Sequence, residues 1–335
     1  MKRFGDDEWA VVAEIARMYY VEGRSQQEIA NQLFFSKAKV SRALRLAREE
    51  NVVEFHINYP SSRSTVLETE LKRRFGLKET LVVTDLYDNL NSDISIKRIG
   101  KVAASYLDEI LKDGDTIGVS WGRTIYQTVR QLEITEPRKI QVVQLVGNST
   151  NTYNMDMDVS TMVQEMAQAF QGTTAKLYAP MHVNSDIVRK ELLKEPIIQE
   201  TMDKIRSADH LLTGIADVSV EWPANTWAGY LSETQMKDLI KKGAVGYICG
   251  YFLDKNGNRL NDPINDKIVG ISFEDLKNAP HVIVVAGGVD KTRAIYAALE
   301  GRIIDSLITD SRIAEKLLAL DDIRQKSRKG AGYDG

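Results

Sequence analysis

The sequence predicts an α/β protein: a small helical N-terminal unit followed by a doubly wound, mostly parallel sheet. Three observations point there. From about residue 77, short runs rich in β-branched residues alternate with amphipathic stretches of helical period, the pattern of a sheet covered on both faces. Residues 1–58 instead show helical spacing punctuated by two serine caps. Between them, Tyr59-Pro60-Ser61-Ser62-Arg63-Ser64 reads as a linker that runs on into a connecting helix ended by Gly76. The expected organisation is therefore 1–58, linker and connecting helix 59–76, a large domain 77–322, and a polar, glycine-rich tail 323–335 that is expected to be disordered. A length of 335 residues accommodates two domains, and no internal repeat is visible.

In the N-terminal unit, Trp9, Val12, Ile15, Ala16 and Tyr19 recur at helical spacing behind the acidic Asp6-Asp7-Glu8. Gly23 closes that helix. Ser25 and Glu28 have the spacing of a capping box, and Ile29, Ala30 and Leu33 form the inward face that follows. Ser36 caps a third helix reaching about Arg48. On its wheel Val40, Ala43, Leu44 and Ala47 share one side, and Ala38, Ser41, Arg42 and Arg45 the other. Lys37, Lys39, Arg42, Arg45 and Arg48 fall within twelve residues that hold no acid. Small residues mixed with arginine suit a DNA major groove, where arginine pairs bidentately with guanine. Lys37, Lys39 and Arg48, nearer the edges, suit phosphates. Val52–Ile57 is a candidate wing strand. The corner before Ser36 is Phe34-Phe35 where glycine or asparagine is usual, so either the turn differs or one ring plugs the core.

The formal net charge of −3 argues against non-specific coating of nucleic acid but leaves room for a local basic patch. Cys249 is the single cysteine, which excludes an intramolecular disulfide and a cysteine metal cluster, and its apolar surroundings suit a core residue. No apolar leader or membrane-length run is present, so a cytoplasmic protein is expected.

The strand candidates are 80–85, 116–121, 140–147, 175–179, 210–216, 245–254, 267–272, 281–288 and 305–310. Ligands of such sheets lie at strand C-termini. Two of these ends carry suitable chemistry. In Gly118-Val-Ser-Trp-Gly-Arg-Thr124, the Gly122, Arg123 and Thr124 amides would open a helix, with Ser120 and Thr124 supplying hydroxyls: an anion cradle. In Ala286-Gly-Gly-Val-Asp-Lys291, Gly287 and Gly288 close a strand, and Lys291 can offer a point charge to a phosphate.

These motifs resemble those of the SorC family of bacterial transcriptional regulators, sometimes grouped with DeoR-type regulators. SQQEIANQL and VSRAL, GDTIGVSWGRT (114–124), VVQLVG (142–147), GYFLDKNGN (250–258), VIVVAGGVDK (282–291) and LITDSRIAEKLL (307–318) occur in the family's order and cover nearly the whole chain. The resemblance implies a winged helix-turn-helix, a sugar-binding domain akin to sugar-phosphate isomerases and deaminases, and a homotetramer built as a dimer of dimers on operator DNA. It also implies a phosphorylated sugar effector held by residues matching Gly122, Arg123, Thr124 and Lys291. There are two departures. Val146 stands where several members carry a cation, which in one branch bonds covalently to an aldehyde sugar. Tyr247 stands where an acid often holds sugar hydroxyls. Both alter the sugar end and spare the phosphate end. Asn148, Asn151, Asn154, Asp156 and Asp158 are polar enough to take over hydroxyl recognition.

An enzyme of the isomerase or deaminase class would need a positioned acid–base pair. His56, His182, His210 and His281 are scattered without metal-ligand spacing, and there is no nucleophile elbow or Walker lysine. Asp85 and Asp310 end strands, where aspartate also serves as a helix cap. No catalytic residue, metal or cofactor is expected. The expected partners are operator DNA, a phosphorylated sugar or polyol, and further copies of the chain.

Overall fold

The computed structural model describes residues 6–53, 62–84, 92–149, 158–218, 227 and 230–330. Two compact units divide between Pro60 and Ser61. The first holds α1 (Asp6–Tyr20), α2 (Gln26–Gln32) and α3 (Lys37–Glu49). They close on one small core: Val12, Ile15, Ala16 and Met18 of α1, Ile29 and Ala30 of α2, and Val40, Leu44 and Ala47 of α3. The Ser25–Glu28 capping box forms on α2, and Ser36 Oγ accepts from the Lys39 amide at 3.2 Å at the start of α3. Val52 and Val53 lie in a bend, and the rest of the expected wing strand is outside the described residues.

The second unit begins with β1 (Ser62–Arg63), α4 (Thr65–Phe75), β2 (Glu79–Thr84), α5 (Ser92–Ile110), β3 (Thr116–Val119), α6 (Arg123–Arg130) and β4 (Gln141–Gln144). It continues through α7 (Val159–Phe170), β5 (Thr173–Ala175), α8 (Asp186–Leu192), α9 (Pro196–Arg206), β6 (His210–Thr213), β7 (Ile215–Asp217) and α10 (Glu233–Lys241). It closes with β8 (Gly246–Ile248), β9 (Tyr251–Leu253), α11 (Phe273–Asn278), β10 (Val282–Val285), α12 (Thr292–Glu300), β11 (Ser306–Asp310) and α13 (Ser311–Gly330).

Eight strands form one sheet in the order β1-β2-β11-β10-β6-β3-β4-β5, with only the β1–β2 pair antiparallel. Alternate residues of one strand feed two different cores. Val282 and Val284 join one, Ile283 and Val285 the other, so both faces are covered and the strand reads as a continuous apolar run. The chain leaves β3 toward β4 on one side and returns as β6 on the other. This reversal of direction opens a crevice beyond the C-terminal ends of β3 and β6.

Several expected elements differ. The run 210–216 breaks at Gly214: β6 stays in the parallel sheet and β7 starts a three-stranded antiparallel sheet with β8 and β9. The run 245–254 is a hairpin, because Cys249 and Gly250 both take positive φ (47° and 85°), as a tight two-residue turn requires. Residues 267–272 make only isolated bridges, Ile268 to His182 and Gly270 to Val146. Residues 62–76 fold with the second unit: β1 pairs with β2, and Arg74 of α4 bonds Asp321, at 3.1 Å, and Asp322 of α13. The expected disorder from 323 is corrected as far as Gly330. α13 continues that far, tied by Arg324 to Glu300 at 2.7 Å and Gln325 to Asp321. No helix among the described residues is long and apolar enough to cross a membrane.

Burial also fixes the histidines. His210 and His281 share an Nδ1–Nδ1 hydrogen bond of 3.0 Å, and the second His281 nitrogen meets Ser306 Oγ at 2.7 Å. Desolvation holds the His281 pKa down to about 4 and moves His210 the same way. Among the described residues neither ring nitrogen of His182 is bonded, and burial, helped by Lys267, lowers its pKa to about 4. The unfolded chain takes up a proton near pH 6.5 (about the free value), whereas the fold refuses it until about 4. Stability is thus complete above pH 6.5 and lost as pH falls toward 4, by roughly 3 kcal/mol for His182 across that window. Urea unfolding at pH 7 and near pH 4.5 should show a steeper acid loss for the native chain than for His182→Phe.

Candidate functional site

A cavity of about 210 Å³ occupies the crevice beyond β3 and β6. Five chain segments build its wall. Ser120 to Thr124 follow β3, Gly214 to Ala216 follow β6, Tyr247 and Cys249 come from the hairpin, Lys291 from the turn after β10, and Ser149 and Asp158 from the β4–α7 connection. Its volume equals that of roughly seven waters, the scale of one small molecule and not of a polymer.

One end is electropositive. Gly122 is the N-cap of α6, with a φ of 143° that few side chains tolerate, and among the described residues no side chain caps the first-turn amides. A helix N-terminus left open toward a cavity favours an anion. Lys291 stands beside it, half-buried, with no ion pair among the described residues. Desolvation moves its ammonium below the ordinary lysine range and Arg123 adds to this, while Asp290 and Asp310 oppose it. Arg123 is exposed and paired with Asp93. The other end is polar and aromatic. Asp158 caps α7 by accepting from Ser160 N at 3.1 Å, and Ser149 lies near it on the wall. Tyr247 packs against Trp227 and Phe252 at centroid distances of 6.2 and 5.6 Å.

Of the residues expected at the effector site, Ser120, Gly122, Arg123, Thr124, Tyr247 and Lys291 line this one cavity. The Thr124 hydroxyl, however, donates to Val285 O at 2.6 Å, so its amide remains the free donor. Four expected residues lie off the wall. Val146 is completely buried in the core and bridged to Gly270. Asn148 is held by Gln144, whose Nε2 donates to its Oδ1 at 2.6 Å, and by the Tyr230 hydroxyl. Gly287 and Gly288 serve the turn: a Cβ on Gly287 would stand 2.6 Å from Ile99, and Gly288 takes φ 102°. Asn151, Asn154 and Asp156 are outside the described residues.

Sequence reasoning passed over Trp121, Ser149, Cys249 and the Gly214–Ala216 stretch. The β6–β7 break at Gly214 was the missing signal, since it turns an apparent strand into a cavity wall. The Cys249 thiol is pushed up to about 11 by burial and meets Thr213 Oγ1 at 3.4 Å, which leaves it unreactive. Asp310 spends one oxygen on Ile313 N and the other on Gly288 N, so it is a structural cap. Asp85 lies outside the described residues.

In the separate N-terminal unit, Lys37, Ala38, Lys39, Ser41, Arg42, Arg45 and Arg48 are all exposed on α3. Among the described residues none of its cations joins an ion pair, and the Lys39 ammonium sits 3.6 Å over the Phe35 ring. By contrast, Arg17 and Arg24 of the same unit are paired with Glu14 and Glu22.

An anion-ready cavity at the switch point of a doubly wound sheet, in a chain that also carries a helical unit with an exposed basic helix, fits a ligand-binding regulator. Residues 59–319 match the family described as "Putative sugar-binding domain", and the chain belongs to the SorC family of sugar-binding transcriptional regulators. It is 34% identical over 312 residues to the deoxyribonucleoside regulator of Bacillus subtilis, covering 91% of this chain and 96% of that one. It is 32% identical to the transcriptional regulator LsrR of Enterobacter sp., covering 92% and 93%. The crystal structure of the full-length sorbitol operon regulator SorC from Klebsiella pneumoniae superposes with a TM-score of 0.72 at 29% identity, covering 94% of this chain and 100% of that one.

Proposed function

We propose that this regulator binds operator DNA through α3 of a winged helix-turn-helix and releases it when a phosphorylated sugar or polyol enters the cavity, so that it represses a carbohydrate-utilisation operon in the cytoplasm. One observation carries the phosphate part: the ion-pair-free Lys291 beside the uncapped N-terminus of α6. Two sources of positive potential converge there, and among the described residues Lys291 joins no ion pair, Asp290 and Asp310 acting on it only through space. The phosphate would take Lys291, Arg123 and the Gly122–Thr124 amides, leaving the sugar hydroxyls toward Asp158, Ser149 and Tyr247.

Arg42 and Arg45, with Ala38 and Ser41, would read base edges while Lys37, Lys39 and Arg48 hold phosphates. A homotetramer arranged as a dimer of dimers would present several such helices at fixed spacing. The effector alters operator affinity by binding one arrangement better than another. Among the described residues no acid is hydrogen-bonded to a base on the cavity wall, which supports binding over turnover.

A thermal-shift panel tests this reading. At a hundredfold excess over the dissociation constant, the cognate sugar or polyol phosphate should stabilise by about 2.7 kcal/mol. That corresponds to a melting rise of roughly 5–10 °C. The same sugar without its phosphate should give little. An equal response to both would remove the phosphate from the reading, and turnover of any panel member would make the protein an enzyme.

A further inference from the structure

Phe34, at the corner between α2 and α3, is not accounted for by the core, the cavity or the basic face. Leu33 ends α2, and the Phe35 amide reaches back to Ala30 O at 2.9 Å. That closure requires left-handed backbone at the residue between them, where glycine is usual and asparagine the common substitute. Phe34 takes this conformation, at φ 56°. The residue is 96% exposed. The next ring, Phe35, behaves oppositely: it is partly buried against the helical core and carries the Lys39 ammonium on its face. Phe34 therefore strains the corner and buries nothing. The other non-glycine residues described at positive φ do not combine these costs. Asn51, Gln171 and Arg302 are polar, and Cys249 is buried.

We propose that Phe34 is a DNA-contact residue whose ring packs on a thymine methyl group in the major groove. The inference rests on the reading of α3 as the helix that enters DNA. Phe34 stands two residues before Ser36, the cap of α3, and so at the end from which Lys37, Ala38 and Ser41 project. The neighbouring cations and Ser41 recognise phosphates and polar base edges. The C5-methyl of thymine is the apolar mark in the major groove, and an aromatic ring is among the side chains that read it. DNA is the occupant that the surroundings favour, because Phe34 just precedes a helix whose exposed cations join no ion pair among the described residues. Covering the ring would recover the burial that the free protein forgoes.

The test uses the full-length chain and a duplex that it enriches from a random-sequence library. The duplex is prepared once with thymine and once with deoxyuridine, which lacks only the methyl groups. The native protein should bind the deoxyuridine duplex about four- to tenfold more weakly. Phe34→Gly should bind both duplexes alike, near that weaker level. It should also melt at a higher temperature, since glycine takes the left-handed corner freely. Arg42→Ala serves as the control on the underlying reading and should weaken both duplexes. Native protein indifferent to the methyl groups, or Phe34→Gly binding the thymine duplex at native strength, overturns the assignment of Phe34 while leaving α3 as the DNA helix. Failure to enrich any duplex, or an Arg42→Ala variant of native affinity, brings down the reading of α3 and this inference with it.

Discussion

Replacing Lys291 with alanine should raise the sugar-phosphate concentration needed to release DNA by roughly 30- to 150-fold, while affinity for DNA without effector stays near the native value. The magnitude follows from the chemistry of the cavity. A hydrogen bond to a charged group contributes about 1.5–3 kcal/mol, and a half-dry site screens charge less than bulk water does. Loss of about 2–3 kcal/mol is that fold-change. The remaining donors compensate poorly. The α6 amides keep only a partial charge, and Arg123 is exposed and already engaged by Asp93. Arg123→Ala should accordingly cost less than Lys291→Ala. The variant should fold well, because desolvation already disfavours the Lys291 ammonium and alanine removes that penalty. The same burial gives a pH signature: effector affinity should decline with rising pH sooner than an exposed lysine would allow. Fluorescence anisotropy of labelled DNA titrated with effector reads both quantities. An unchanged release curve for Lys291→Ala would mean that the anion sits elsewhere.

How much of this was legible in the sequence depended on whether a residue acts through its own segment or through another. The α3 face was readable because helical period and local caps decide it: Val40, Leu44 and Ala47 are buried where the wheel puts them. The parallel sheet was readable because its strands are apolar on both faces. The cavity was readable only at its conspicuous ends, Gly122–Thr124 and Lys291. Val146 was expected at the wall because the resemblance places a cation at that position in several family members, yet β4 ends at Gln144 and the bridge to Gly270 draws Val146 into the core. Nothing within its own segment announces a partner more than a hundred residues away. Gly214 and Cys249 were lost for a related reason. Each interrupts an unbroken apolar run, and a break in such a run shows in backbone angles and pairing, not in hydropathy. Phe34 is the reverse case. Position predicted left-handed backbone, composition argued against it, and the helix closure won at a cost of about 1–2 kcal/mol.

Arg42→Ala and Arg45→Ala should each weaken binding to the enriched duplex by about 1–3 kcal/mol per half-site if they pair with base edges. In an oligomer that engages two half-sites the loss is felt twice, so a single substitution is expected to lower affinity by more than tenfold. Magnitude alone does not separate base reading from charge, but salt does. Removing a cation from one phosphate reduces the slope of log affinity against log salt by about one, and weakens all sequences alike. Lys37→Ala, Lys39→Ala and Arg48→Ala should behave that way. Arg42→Ala and Arg45→Ala should instead relax discrimination at particular base pairs. A merely solvated basic face predicts something different again. Alanine is the best helix former, so replacing an exposed arginine that touches nothing would leave binding unchanged and slightly stabilise α3. A melting temperature measured beside each binding curve therefore decides the matter. Weakened affinity in a variant at least as stable as the native chain places the arginine on DNA, whereas native affinity for both arginine variants would move the reading surface off α3.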